Sequence, residues 1–167
     1  MILVLGIDPG SRVTGYGVIG IERHRVQHVA NGCIRLGDGA IDARLVTMFD
    51  ALTAVIAEHH PVEAAIEKVF MNRNADSALK LGHARGVAML AASKAGLAVS
   101  EYSPNSIKQA VVGRGHAEKG QVQHMVRALL GLTTAPQADA ADALATAICH
   151  AHMREGLARL ARAGARP

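Results

Sequence analysis

The sequence predicts an α/β fold: a mixed five-stranded sheet flanked by helices on both faces. Three observations carry that prediction. Ile2–Asp8 is apolar on both of its faces until it reaches Asp8, the signature of a central buried strand rather than an edge. After three strand-like segments in the first 36 residues, segments of strand type alternate with segments of helical spacing. Half of the 167 residues are apolar and 19% are charged, which excludes a disordered chain and suffices for a packed core. The core is read as one domain over residues 1–155, followed by an Arg/Ala-rich tail, 156–167, that is expected to fray.

The elements follow in order. Pro9-Gly10-Ser11 forms a turn after the first strand, and residues 14–21 and 26–36, rich in Val and Ile, read as two more strands joined by a hairpin at 22–25. Gly37 to Gly39 is a loop. Leu45, Met48, Phe49, Leu52, Val55 and Ile56 recur at helical spacing, so 44–59 is a helix, ended by Pro61. A fourth strand spans 64–70, and a long helix follows Asn74 and ends near Gly96. The fifth strand covers 97–103. Helices are then expected over 105–112, 117–130 and 137 to about 157. The first three strands form an antiparallel meander, and the helical crossovers make the later strands parallel to the first.

Four acids sit where the surrounding sequence buries hydrocarbon. Asp8 closes the first strand, Glu67 interrupts the apolar run AAIEKVF, and Asp139 and Asp142 lie in QADAADALATAI. A desolvated carboxylate costs several kcal/mol unless a cation or a set of donors compensates it. Topology brings Asp8 and Glu67 to the exit ends of neighbouring parallel strands, where open α/β sheets collect their ligands. Asp139 and Asp142, three apart, share a helix face. Each has a plainer explanation: a turn acceptor for Asp8, an ion pair for Glu67, and helix-start acids favoured by the macrodipole for the other two. Taken together, an all-oxygen donor set selects hard cations such as magnesium or manganese. Carboxylates from two strands and a helix can hold two ions about 4 Å apart, the arrangement that serves phosphodiester hydrolysis.

The charge agrees with a polyanionic partner. The net charge is +4, and with four of the 14 acids neutralised, 18 Lys and Arg face the ten that remain. Cys33 and Cys149 have no CxxC spacing, so neither a disulfide framework nor a zinc ribbon is expected. No basic leader precedes the opening run, and no stretch approaches the roughly 20 apolar residues that span a bilayer. A cytoplasmic setting without membrane contact is expected.

Four long motifs then stand in order: LGIDPGSRVTGYGVI, AIEKVFMNRNADSALKLGHARGVA, IKQAVVGRGHAEKGQVQHMV and PQADAADALATAICHAH. Together they resemble the RuvC family of bacterial Holliday-junction resolvases from about Ile2 to His152. The resemblance implies a ribonuclease-H-like fold, matching the strand order above, and a homodimer that makes paired nicks across a four-way DNA junction with magnesium. It implies RuvA and RuvB as partners. By position, Asp8, Glu67, Asp139 and Asp142 match the family's catalytic carboxylates. Lys119 matches a basic residue close to the scissile phosphate, and Lys108 a second basic position tied to activity. Phe70 matches an aromatic held near the crossover bases. Arg73 stands where a lysine is familiar, which keeps the charge but changes donor geometry.

The residues themselves leave some roles open. Phe70 leaves a strand just beyond Glu67 and is either a stacking platform or a core residue capping the sheet. Lys108 and Lys119 fall in the segment that bears Arg114; lone helix lysines are commonly solvated charges. Arg73, Lys80, Arg85 and Arg114 are candidates for phosphate contacts, or simply solubilise the surface. His150 and His152, two apart on a helix, make a poor metal pair. GIDPGS also opens actin-like ATPases, but those need a second Gly-rich phosphate hairpin that this chain lacks. A junction binder without catalysis would not need four carboxylates.

Overall fold

The central strand of the sheet is the first one made. The computed structural model describes residues 1–23, 25–68, 74–113 and 119–164, with backbone alone at 119 and 157–164. Strands β1 (Ile2–Asp8), β2 (Val13–Glu22) and β3 (Arg25–Arg35) form an antiparallel meander. Strands β4 (Glu63–Glu67) and β5 (Ala98–Tyr102) add on the other side of β1, parallel to it, giving the order β3-β2-β1-β4-β5. The two parallel additions require crossovers, supplied by α1 (Ile41–His59) and α2 (Ala75–Lys94). Helices α3 (Pro104–Val112), α4 (Lys119–Leu129) and α5 (Ala138–Gly164) follow.

Alternation along the strands sorts the core into two layers. Leu5, Ile7, Val18 and Ile66 pack under α1 and α2 with Met48, Leu52, Ala84 and Ala88. Val4, Ile19 and Ala65 face α3, α4 and α5, against Ile107, Val122, Leu144 and Ile148. The α5 face is built for close approach. A Cβ on Gly6 would collide with the Ala143 carbonyl, and one on Gly15 with that of Asp139. Alanines at 140, 141, 143, 145 and 147 supply the matching flat helix surface.

Several boundaries differ from expectation. Helix α1 starts at Ile41 rather than 44, because Ala40 caps it without any side-chain hydrogen bond and so leaves no signal in the sequence. Its end is set by His60 in the left-handed region (φ 52°), just before Pro61. Strand β4 ends at Glu67 rather than 70; Lys68 N still donates to Tyr102 O at 2.8 Å, and residues 69–73 lie outside the described ones. Helix α5 continues past 157 to Gly164, in keeping with the helix-forming Ala, Arg and Leu of that segment. Strand β3 carries Val29 as an extra residue between the partners of Val18 and Ile19, a bulge that the pattern of Val and Ile hides.

Candidate active site

Register brings the first two acids together. The β1–β4 pairing ends at Ile7↔Ile66, so Asp8 and Glu67 occupy the next positions on neighbouring parallel strands. Both alternate onto the face covered by α5, as Gly6 and Ala65 do. The turn after Asp8 is locked from two sides. Thr14 Oγ1 donates to Gly10 O at 3.1 Å, and Arg44 Nη1 on α1 donates to Ser11 O at 2.8 Å. Glu67 is steadied by the Lys68–Tyr102 backbone bond that follows it.

The other two acids arrive on the first turns of α5. The start of that helix is held by Gln123 on α4, whose Nε2 donates to Pro136 O at 2.6 Å. The Gly15 notch lets the Asp139 backbone settle onto β2, beside the strand that ends in Asp8. Asp8, Glu67, Asp139 and Asp142 thereby line one cavity of about 320 Å³, with Lys108 on its α3 side. Pro104, Ile107 and Val122 make its apolar wall. Burial first, and then the charges of Glu67, Asp142 and Asp139, push the Asp8 carboxyl up to about 8. Four carboxylates around one cavity, one of them pushed this far up, make a place that a cation would relieve.

The donor set fits a hard divalent cation: four carboxylates and no soft ligand among the cavity's lining residues. The acids line the cavity without converging on a point; among the described residues no group of three or more His, Cys, Asp or Glu is set to chelate an ion by itself.

The remaining sequence candidates divide. Lys119 opens α4. Lys80 is exposed and paired with Asp76 at 2.6 Å, one helical turn away. Arg85 forms an ion pair with Glu101, joining α2 to β5 on the sheet face opposite the cavity. Phe70, Arg73 and Arg114 lie outside the described residues. Sequence reasoning missed the apolar wall, for which the only signal is that Ile107 and Val122 belong to core-facing helix stripes. It missed Gln123 altogether. Cys33, half-buried on β3, also lies near the acids. The Cys33 thiol is bonded to the Ala140 backbone beside Asp139, and burial chiefly pushes it up.

Known proteins resemble this chain in sequence and in fold. A family model described as crossover junction endodeoxyribonuclease RuvC matches residues 4–150. The crossover junction endodeoxyribonuclease RuvC of Marinobacter nauticus is 58% identical over 164 residues, covering 98% of this chain and 94% of that protein. Thermus thermophilus RuvC, solved in complex with a Holliday junction substrate, superposes with a TM-score of 0.86 at 34% identity, over 93% of this chain and 97% of that one. The yeast mitochondrial Holliday junction resolvase Ydc2 shares the fold, with a TM-score of 0.69 at 13% identity, covering 93% of this chain and 80% of its own.

Proposed function

This chain belongs to the RuvC family of crossover junction endodeoxyribonucleases, and from that premise we propose that it resolves four-way DNA junctions by magnesium-dependent hydrolysis. The observation that carries the reading is the gathering of Asp8, Glu67, Asp139 and Asp142 around one cavity from three separate elements. These four side chains would hold two magnesium ions, for which manganese can substitute. Bound there, the ions would lower the pKa of a water so that it is deprotonated to attack phosphorus, and would supply a counter-charge for the departing oxygen.

The chain's own residues do the rest. The carboxylates take up the cations by giving up the proton that Asp8 otherwise holds at neutral pH. Lys108, facing them across the cavity, steadies the negative phosphate and adds charge complementarity as the transition state forms. Lys119, at the start of α4, is assigned a similar part on family position. The apolar wall of Pro104, Ile107 and Val122 limits water to the reacting side. Attack by water with departure of the 3′ oxygen leaves 5′-phosphate and 3′-hydroxyl ends. Phe70 is assigned to the crossover bases, and Arg73, Lys80 and Arg114 to backbone phosphates. Arg85, engaged by Glu101, contributes chiefly by holding α2 to the sheet.

Paired nicks need two active sites related by a dyad, hence a homodimer. Helix α2 offers the surface for it. Leu79 and Leu90 are 65% and 56% exposed and three helical turns apart, and Gly82 and Gly86 between them have open space where a Cβ would stand. Two such faces can pack with their backbones close together. Partnership with RuvA and RuvB, and a cytoplasmic workplace, rest on the family resemblance; among the described residues no helix is long and apolar enough to cross a membrane.

The deciding experiment incubates the protein with a synthetic four-way junction and with a linear duplex of the same sequence, in magnesium and in chelator. Symmetric, ligatable nicks in the junction alone, and only with magnesium, are expected. Equal cutting of duplex would make it a general nuclease, and tight junction binding without cutting would remove the metal assignment.

A further inference from the structure

On the same sheet face a polar network that the chemistry does not use runs from Glu63, at the end of β4 away from the cavity, through His150 to Tyr102, which pairs with Glu67 on β5. His150 on α5 is 6% exposed, yet both ring nitrogens are engaged. Nδ1 meets the Tyr102 hydroxyl at 2.8 Å and Nε2 meets Glu63 Oε2 at 2.6 Å. Arg154 Nε donates to Glu63 Oε1 at 3.1 Å. A carboxylate only accepts, so Nε2 carries a proton toward Glu63, and Nδ1 shares a hydrogen bond with the Tyr102 hydroxyl. The rings of Tyr102 and His150 also meet edge to face, with centroids 5.8 Å apart. Three elements, β4, β5 and α5, are joined at this point.

The placement of this cluster relative to the cavity is what gives it meaning. Glu63 and Glu67 lie four residues apart on one face of β4, a span of about 13 Å. His150 and Asp142 lie eight residues apart on α5, a span of about 12 Å. The two elements run in opposite senses, so they form the long sides of a frame. Carboxylates close one end, and the Glu63–His150 bond closes the other. Apolar contact fixes how deeply α5 sits on β1 and β2, through the Gly6, Gly15 and Gly17 notches. On the β4 side the helix meets Ala65, which is small and offers no knob to set register. Directional hydrogen bonds set it instead.

We propose that Glu63, His150 and Tyr102 are positioning residues that hold α5 in register with β4, and so fix Asp139 and Asp142 relative to Glu67 for cation binding. The inference rests on the reading of the cavity as a metal site. Coupling between the two ends must be reciprocal, so loosening the far end weakens the cation at the near end.

The test compares wild type, His150→Ala, Glu63→Gln and a control, Leu52→Ala, which is buried on the opposite sheet face. Three quantities are measured on each: the magnesium concentration for half-maximal junction cleavage, the rise in Tm that magnesium produces without DNA, and junction Kd in chelator. For His150→Ala the half-saturating magnesium concentration should rise about five-fold or more, with a smaller magnesium-induced Tm rise and an unchanged junction Kd. Glu63→Gln, at the end of β4 away from the cavity, should move in the same direction by less, and it decides alone if His150→Ala does not fold. Leu52→Ala should lose stability without moving the magnesium midpoint. Network variants that keep the wild-type midpoint, or a control that shifts it equally, would overturn the inference while leaving the metal site standing. A wild-type protein with no magnesium response in either assay would overturn both.

Discussion

Asp8 is the residue whose surroundings suit it least in the absence of a cation. It is desolvated and faces three other carboxylates. Asp8→Asn should therefore abolish cleavage while raising the Tm of the metal-free protein, a gain on the order of a few kcal/mol at pH 8. Magnesium should raise the Tm of wild type and have much less effect on the variant. Calorimetry with and without magnesium, beside junction binding and cleavage, checks each part; equal loss of binding and cutting would make Asp8 a structural residue. Glu63 shows the opposite behaviour. Burial pushes its carboxyl up, but the His150 hydrogen bond and the Arg154 charge outweigh that, and it lies below its usual 4.5. A lowered carboxyl pKa contributes stability above the unfolded value and loses it as pH falls through the folded one. The Tm deficit of Glu63→Gln should thus be full at neutral pH and shrink below about pH 4.5. At this scale the four acids are legible because each breaks an apolar pattern. His150 is not: a histidine among alanines says nothing of its partners, and Glu63 looks like an ordinary charge at the edge of a strand.

Helix α5 is the element on which the site depends, since it brings two of the four acids and sits directly on β1 and β2. Its closeness is set by glycine. Gly15→Ala would drive a methyl into the Asp139 carbonyl, so the helix start must lift. Overpacking of this kind costs about 1–3 kcal/mol. Cleavage should fall far more than junction affinity, because the displaced groups are those around the cavity; kcat and Kd measured on the same preparation separate the two. A parallel fall in both would mean that the damage spreads through the sheet. Most elements can be read from hydrophobic period and turn residues, Gly10 and Pro61 among them. The start of α1 is silent, since Ala40 offers no capping oxygen, and the Val29 bulge leaves the strand's composition unchanged. The closeness of α5 to the sheet is written in the sequence as Gly6, Gly15 and Gly17 facing an alanine-rich stretch, but only register shows which glycine meets which alanine.

For the whole molecule, the sheet order and both helical layers follow from the sequence because β1 is buried on both faces and the crossovers have one favoured hand. The proposed dimer surface is less legible: α2 has apolar residues all around, and burial alone separates Ala84 and Ala88, packed inside, from Leu79 and Leu90, left outside. Leu90→Glu should give a monomer by sedimentation, with unpaired nicks replacing symmetric ones and a fold unchanged by circular dichroism. A dimer that persists would move the contact to another face.

The order in which the acids are encoded has a consequence for synthesis. Asp8 emerges in the first strand made, Glu67 in the fourth, and Asp139 and Asp142 only with the last helix. A partly synthesised chain can fold its hairpin meander from local contacts, yet it carries half a cation site and an uncovered sheet face. On the proposed reading, in which cutting needs all four acids, a chain that has not yet made α5 holds only Asp8 and Glu67 and cannot cut.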